Sequence, residues 1–307
     1  MGRRRDITSQ RSEVEELRRA LYTARLSRDP GSHLVAVVGP KGGSGKTTTA
    51  AMLATTLAEV RGEIVCVLDA TNQLGTLRRR LVAPTEPATL SLHELCARAL
   101  AGELAPEWSA LAPYVDVVGG LRVLRSLSSA DGRTLGAEEF AAGLMLLRRV
   151  GQIVVADVGT KANGAVLAAA LTHADTLVIA TELAYDALEL TIEMVSALAG
   201  EPLSYRPDPD DWSALSDGGF GSLVQGAIVV VSPGRYPVES GDHVDGNLAA
   251  MLEWLRVVCG GGVVRVGYDE HLGAGDVIDP SSLSHATVSA HLRVAGAVAA
   301  RFSLEAT

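Results

Sequence analysis

Leu34-Val35-Ala36-Val37-Val38-Gly39-Pro40-Lys41-Gly42-Gly43-Ser44-Gly45-Lys46-Thr47-Thr48-Thr49 reads as a strand that runs into a glycine-rich loop and out into a helix. A strand, a glycine loop and a helix in that order are the context a phosphate-binding loop needs. In such a loop, backbone N–H groups and the helix N-terminus face the phosphate oxygens. Gly42, Gly43 and Gly45 stand where the backbone must come close to phosphate, and Ser44 and Thr48 belong to the same candidate contact set. Lys46 is placed to reach the β- and γ-phosphates, and the Thr47 hydroxyl to bind Mg2+. The run departs from the simple form G-x-x-x-x-G-K-[ST] at its first position, where Pro40 replaces glycine.

The whole chain of 307 residues contains three lysines against 24 arginines, so lysines kept at 41 and 46 point to chemistry and not to general surface charge. The form K-G-G-x-G-K-T-T resembles the deviant Walker A motif of the ParA/MinD group of P-loop ATPases. That resemblance implies ATP and Mg2+ as cofactors, ATP hydrolysis, and an ATP-dependent homodimer. It makes Lys46 the lysine that acts on its own nucleotide, and Lys41 the one that reaches the partner's phosphates.

Two further strands end in carboxylates. Gln152-Ile153-Val154-Val155-Ala156-Asp157 resembles Walker B, which makes Asp157 a second holder of Mg2+. The Gly159 N–H beyond it is a candidate contact for the γ-phosphate. The strand over 63–69 ends at Asp69, which matches the first position of the group's D-x-D and is a candidate catalytic residue. Thr71 takes the second position, and a hydroxyl can orient water but holds no charge to polarise it. Slow hydrolysis in the absence of a partner is therefore expected.

The run Asp69 to Leu77, the tetrad Asp157-Val158-Gly159-Thr160, and the segment Gly267 to Gly275 resemble actinobacterial MinD/ParA-like proteins associated with type VII secretion, the EspI-like group. The likeness covers residues 34–302 and implies a protein partner, either a secretion-system component or a positioned cargo. The group's adenine-reading asparagine falls at Ser232, before Pro233, so ATP in preference to GTP rests on the resemblance. Plasmid or chromosome partition, and a nucleotide-binding scaffold with little hydrolysis, are the alternative readings.

Charge argues against one of these. Residues 1–28 hold eight arginines against four acids, while the rest of the chain holds 19 bases against 32 acids. DNA binding needs phosphate neutralisation by a basic surface, so strong DNA binding is not expected of so acidic a body. No apolar stretch reaches the ~20 residues of a membrane span, and the end, Arg301 to Thr307, is too short and acidic for a membrane-targeting helix. Cys66, Cys96 and Cys259 are odd in number without C-x-x-C spacing, as in a cytoplasmic protein with reduced thiols.

With 47% apolar and 21% charged residues the chain can bury a large core, and its Val, Leu, Ala and Gly richness suits a parallel sheet between helices. Alternating strand and helix patterns from Leu34 onward predict an α/β fold, a mostly parallel twisted sheet with helices on both faces. The expected strands are 34–39, 63–69, 114–118, 152–157, 176–181, 226–232 and 263–267. The expected helices are 46–60, 91–101, 136–149, 163–173, 184–199, 245–258 and 284–302. Residues 1–32 form a basic N-terminal helix (11–28) and linker, and 33–307 the ATPase domain. Residues 201–222 read as an exposed loop, with Trp212 as the candidate partner anchor within it. His271, with no Cys or His at ligand spacing, reads as a packed loop residue.

Overall fold

The computed structural model describes residues 2–24, 32–70, 75–83, 90–124, 134–159, 164–200, 219–233 and 246–302, with side chains from residue 12 onward. Thr71, Thr160, Trp212 and the run Asp29-Pro30-Gly31 lie outside the described residues.

Among the described residues one sheet of eight strands forms the centre: β1 His33–Val38, β2 Val65–Asp69, β3 Val115–Val118, β4 Leu121–Leu124, β5 Ile153–Asp157, β6 Thr176–Glu182, β7 Ile228–Ser232 and β8 Val263–Arg265. Their order across the sheet is β3-β4-β2-β5-β1-β6-β7-β8. All neighbouring pairs are parallel except β3 with β4. β1 is buried at every position, as a central strand covered on both faces must be. Its side chains alternate: Leu34, Ala36 and Val38 enter one core, Val35 and Val37 the other.

The longer helices are α1 Gly2–Thr23, α2 Lys46–Arg61, α3 Leu92–Leu100, α4 Ala137–Val150, α5 Gly164–His173, α6 Tyr185–Ala199, α7 Gly246–Val258 and α8 His285–Ala299. α2, α8 and the end of α1 lie on the Val35/Val37 face; α3 to α7 supply the other core. Ser91 opens α3 with a capping box, its hydroxyl accepting from the Glu94 N–H while Glu94 Oε2 accepts from the Ser91 N–H at 2.8 Å.

Two sequence expectations need correction. The expected strands pass from 114–118 to 152–157 and omit β4, which follows the Gly119-Gly120 pair. Here the pair makes a tight turn, Gly119 at φ 55°, and the chain pairs back antiparallel. The N-terminal helix, expected over 11–28, already begins at Gly2 and runs to Thr23, and residues 25–28 lie outside the described residues. Its end is set by Arg61, whose Nη1 donates to the carbonyls of Leu21 at 2.8 Å and Ala24 at 2.6 Å. Leu21 is fully buried in the core shared with α2 and α8, and Arg293 of α8 pairs with Glu13.

Candidate nucleotide-binding site

The sheet order brings the candidate residues together. β1 lies between β5 and β6, and β5 between β2 and β1, so the loop leaving β1 has Asp157 and then Asp69 beside it at the carboxyl edge. In register, Val37 pairs with Asp157 and Asp157 with Asp69. The carboxyl edge is where ligands bind in open parallel sheets.

Gly43 and Gly45 adopt φ of 92° and 84°, backbone that a side chain would strain, and Gly45 caps the start of α2. The loop thus turns tightly into the first turn of α2. Lys46 is folded back over it: its Nζ donates to the Lys41 carbonyl at 2.6 Å and to Ser44 Oγ at 3.3 Å. Both acceptors are replaceable by anionic oxygens. Burial lowers the Lys46 pKa, opposed by the charges of Asp157 and Glu182. Ser44 is itself buried, Gly42 has open space around it, and Thr48 is half-buried in the first turn of α2.

Thr47 Oγ1 donates to Asp157 Oδ2 at 2.6 Å. Asp157 is buried, and its Oδ1 has no partner among the described residues. Burial, and then the charge of Asp69, push the Asp157 carboxyl up to about 7, while the Thr47 hydrogen bond and Lys46 pull it down. A hydroxyl beside a carboxylate with an orphaned oxygen is an oxygen donor set that fits Mg2+. Asp69 is enclosed: its Oδ2 accepts weakly from the Leu77 N–H at 3.4 Å, and a Cβ on Gly75 would stand 1.7 Å from the same oxygen.

Gly159 follows Val158, whose N–H donates to the Val37 carbonyl at 2.9 Å, so it lies beside the loop strand. Ser232 ends β7 with its Oγ 3.7 Å from where a Gly45 Cβ would be. The structure therefore gathers Lys41 to Thr48, Asp69, Asp157, Gly159 and Ser232 along one edge. His271 stands apart, its Nε2 accepting from the Asp279 N–H at 2.8 Å, a loop-packing role.

One partner was not anticipated. The Lys41 ammonium pairs with Asp186 in the first turn of α6, and this hydrogen bond raises the lysine pKa and lowers that of the carboxyl. Only the adjacency of β1 and β6 could have signalled it, because α6 follows β6 directly.

A model of the CobQ/CobB/MinD/ParA nucleotide binding domain matches residues 35–305. The ESX-1 secretion-associated protein EspI of Mycobacterium tuberculosis is 29% identical over 266 residues, which is 84% of this chain. The chain spans only 36% of that relative's length. Among solved structures, a ParA family ATPase from Chlorobium tepidum superposes with a TM-score of 0.63 at 15% identity, covering 86% of this chain and 98% of that one. The cell division ATPase MinD of Pyrococcus furiosus superposes with a TM-score of 0.57 at 17% identity, covering 87% and 98%. At these identities the superpositions establish the fold alone.

Proposed function

The chain belongs to the CobQ/CobB/MinD/ParA nucleotide-binding family, and from that premise we propose that it is a slow MgATPase that pairs with a second copy around bound nucleotide. One observation carries the reading: the Thr47 hydroxyl meets Asp157 at 2.6 Å near the folded-back Lys46, and the other Asp157 oxygen has no partner among the described residues.

In this reading Lys46 exchanges the Lys41 carbonyl and Ser44 Oγ for phosphate oxygens, and the loop N–H groups hold the rest. Thr47 and Asp157 would hold Mg2+, which supplies charge neutralisation at the phosphates. Lys41 leaves Asp186 to reach the phosphates bound by the second copy. Gly159 responds to the γ-phosphate, and Ser232 borders the base. Asp69, next to Asp157 at the carboxyl edge, stays the candidate catalytic carboxylate, but the Thr71 hydroxyl carries no charge to polarise a water. Turnover by the isolated protein is accordingly below about 1 s−1, the low end for ordinary enzymes.

The output is a nucleotide-dependent surface offered to a protein partner. The likeness to a protein named for ESX-1 secretion favours a secretion-system component. The acidic body disfavours partition on DNA.

Solution mass by light scattering with MgATP, with MgADP and without nucleotide tests the switch, wild type beside Lys41→Ala. A dimer seen with ATP and lost in the variant is expected; a mass indifferent to nucleotide overturns the dimer reading and leaves a scaffold. Nucleotide binding that survives Lys46→Ala would overturn the site itself.

A further inference from the structure

Between β8 and α8 the chain forms a strap, residues 266–284, that reaches a short helix, Leu77–Leu81, just beyond β2. Four strands separate β8 from β2 in the sheet, a crossing of roughly 24 Å at normal strand spacing. The strap makes it on the face that carries α2, where Val266, Leu272 and Ile278 join the α2 core. It therefore passes the face whose helix begins at the phosphate loop.

Both ends are fastened. At the near end the Val266 N–H donates to the Val231 carbonyl at 2.9 Å, beside Ser232. Asp269 then accepts from the N–H groups of His271 at 3.1 Å and Ser284 at 3.0 Å and from Thr287 Oγ1 at 2.8 Å. At the far end Arg80, 5% exposed, donates through Nη1 to the Asp276 carbonyl at 3.0 Å and through Nη2 to the Leu272 carbonyl at 2.9 Å. The Ile278 N–H returns a bond to the Arg80 carbonyl at 2.8 Å.

A buried guanidinium whose hydrogen-bond partners here are backbone carbonyls is a costly way to fill space. An apolar side chain of similar length would pack there with less desolvation. What the guanidinium adds is a planar fork that fixes two carbonyls at once.

We propose that Arg80 is a positioning residue for bound nucleotide: it pins the strap over the face that carries α2, so that the strap walls the nucleoside end of a ligand whose phosphates the loop holds. The proposal rests on the nucleotide reading of the loop and adds the part of the ligand the loop does not touch. Phosphates bound by the loop alone are indifferent to Arg80. A nucleoside triphosphate dissociates faster when the strap is loosened.

The test compares the full chain with Arg80→Met, Arg80→Lys and Gly275→Ala. The last leaves Arg80 intact and strains the strap at a φ of 77° beside the guanidinium. Dissociation rates of a fluorescent ATP analogue and the affinity of inorganic tripolyphosphate are the readouts, with circular dichroism to confirm folding. Expected are an off-rate raised about tenfold or more in Arg80→Met and Gly275→Ala, partial rescue in Arg80→Lys, and tripolyphosphate affinity unchanged. Equal weakening of both ligands would reduce Arg80 to a structural role and overturn the proposal, as would an unchanged off-rate in folded Arg80→Met. If Arg80→Met does not fold, Gly275→Ala decides on the same criteria. A wild type that binds neither ligand would overturn the nucleotide reading itself, and this inference with it.

Discussion

The Lys41 ammonium is held by the Asp186 carboxylate of the same chain, across a sequence distance of 145 residues. With side chains 37% and 63% exposed, the pair is screened by solvent and easily exchanged. A lysine that acts on a partner's phosphates must first leave this carboxylate. Asp186→Asn is therefore expected to favour the ATP-dependent dimer, by no more than about fivefold in dimer dissociation constant, since exposed pairs hold weakly. Sedimentation with MgATP measures it. A variant that dimerises less well than wild type would mean that Asp186 supports Lys41 and does not restrain it.

Asp157 is kept for function at the expense of stability. Its carboxyl is raised to about 7, first by burial and then by Asp69, so above pH 7 the folded chain carries a charge it disfavours. The sign follows: a raised carboxylate favours folding below its ordinary 3.8 and loses that contribution as pH rises through 7. Asp157→Asn should be more stable than wild type by ~1–3 kcal/mol at pH 8, with the gap closing toward pH 4. Denaturant melts at both pH values check this. Nucleotide titrations should show that the variant has lost its dependence on Mg2+.

What the sequence made legible was local. The loop 39–49, its helix and the carboxylate at Asp157 are read from neighbours along the chain, because strand, glycine turn and helix start are each decided within a few residues. What it hid was set by the sheet order. Asp186 meets Lys41 only because β6 lies next to β1, and Arg80 meets Leu272 and Asp276 only because the strap crosses the sheet. β4 was hidden differently: Leu121-Arg122-Val123-Leu124 is four residues long, too short for a periodic signal, although the preceding Gly-Gly pair is a hairpin cue. The N-terminal helix could be expected from its pattern, but its end depends on Arg61, some 40 residues away.

Gly75 has no room for a side chain. A Cβ there would fall 1.7 Å from Asp69 Oδ2 and 2.2 Å from Cγ, so the carboxylate or the turn must move. Gly75→Ala should cost about 1–3 kcal/mol, as overpacking does, and weaken nucleotide binding through the displaced Asp69. Asp69→Ala with Gly75→Ala should restore most of the stability, because the clash is with that side chain. A double-mutant cycle with additive losses would show that the strain lies in the backbone of the turn instead.

His33 gives the fold a measurable acid limit. Its Nε2 shares a hydrogen bond of 2.8 Å with Thr176 Oγ1, and its ring meets Phe302 edge-on at 4.7 Å. Burial lowers its pKa from 6.5 to about 4, Asp175 opposing and Arg148 assisting. Folded His33 is thus neutral where the unfolded side chain is already charged. Its contribution to stability is complete above pH 6.5 and is lost as pH falls toward 4. His291, also lowered to about 4, adds a slope of the same sign, and Asp157 one of the opposite sign. Only the difference between wild type and His33→Gln isolates this residue. Between pH 6 and 4.5 the wild type should lose up to about 1.4 kcal/mol per pH unit more than the variant. Since Arg61 lies over the Phe302 ring and also holds the last carbonyls of α1, protection of α1 from hydrogen exchange should fall in the same pH window. Parallel stability curves for the two proteins would mean that His33 gains a proton in the folded state without penalty, and that its pocket is open to water.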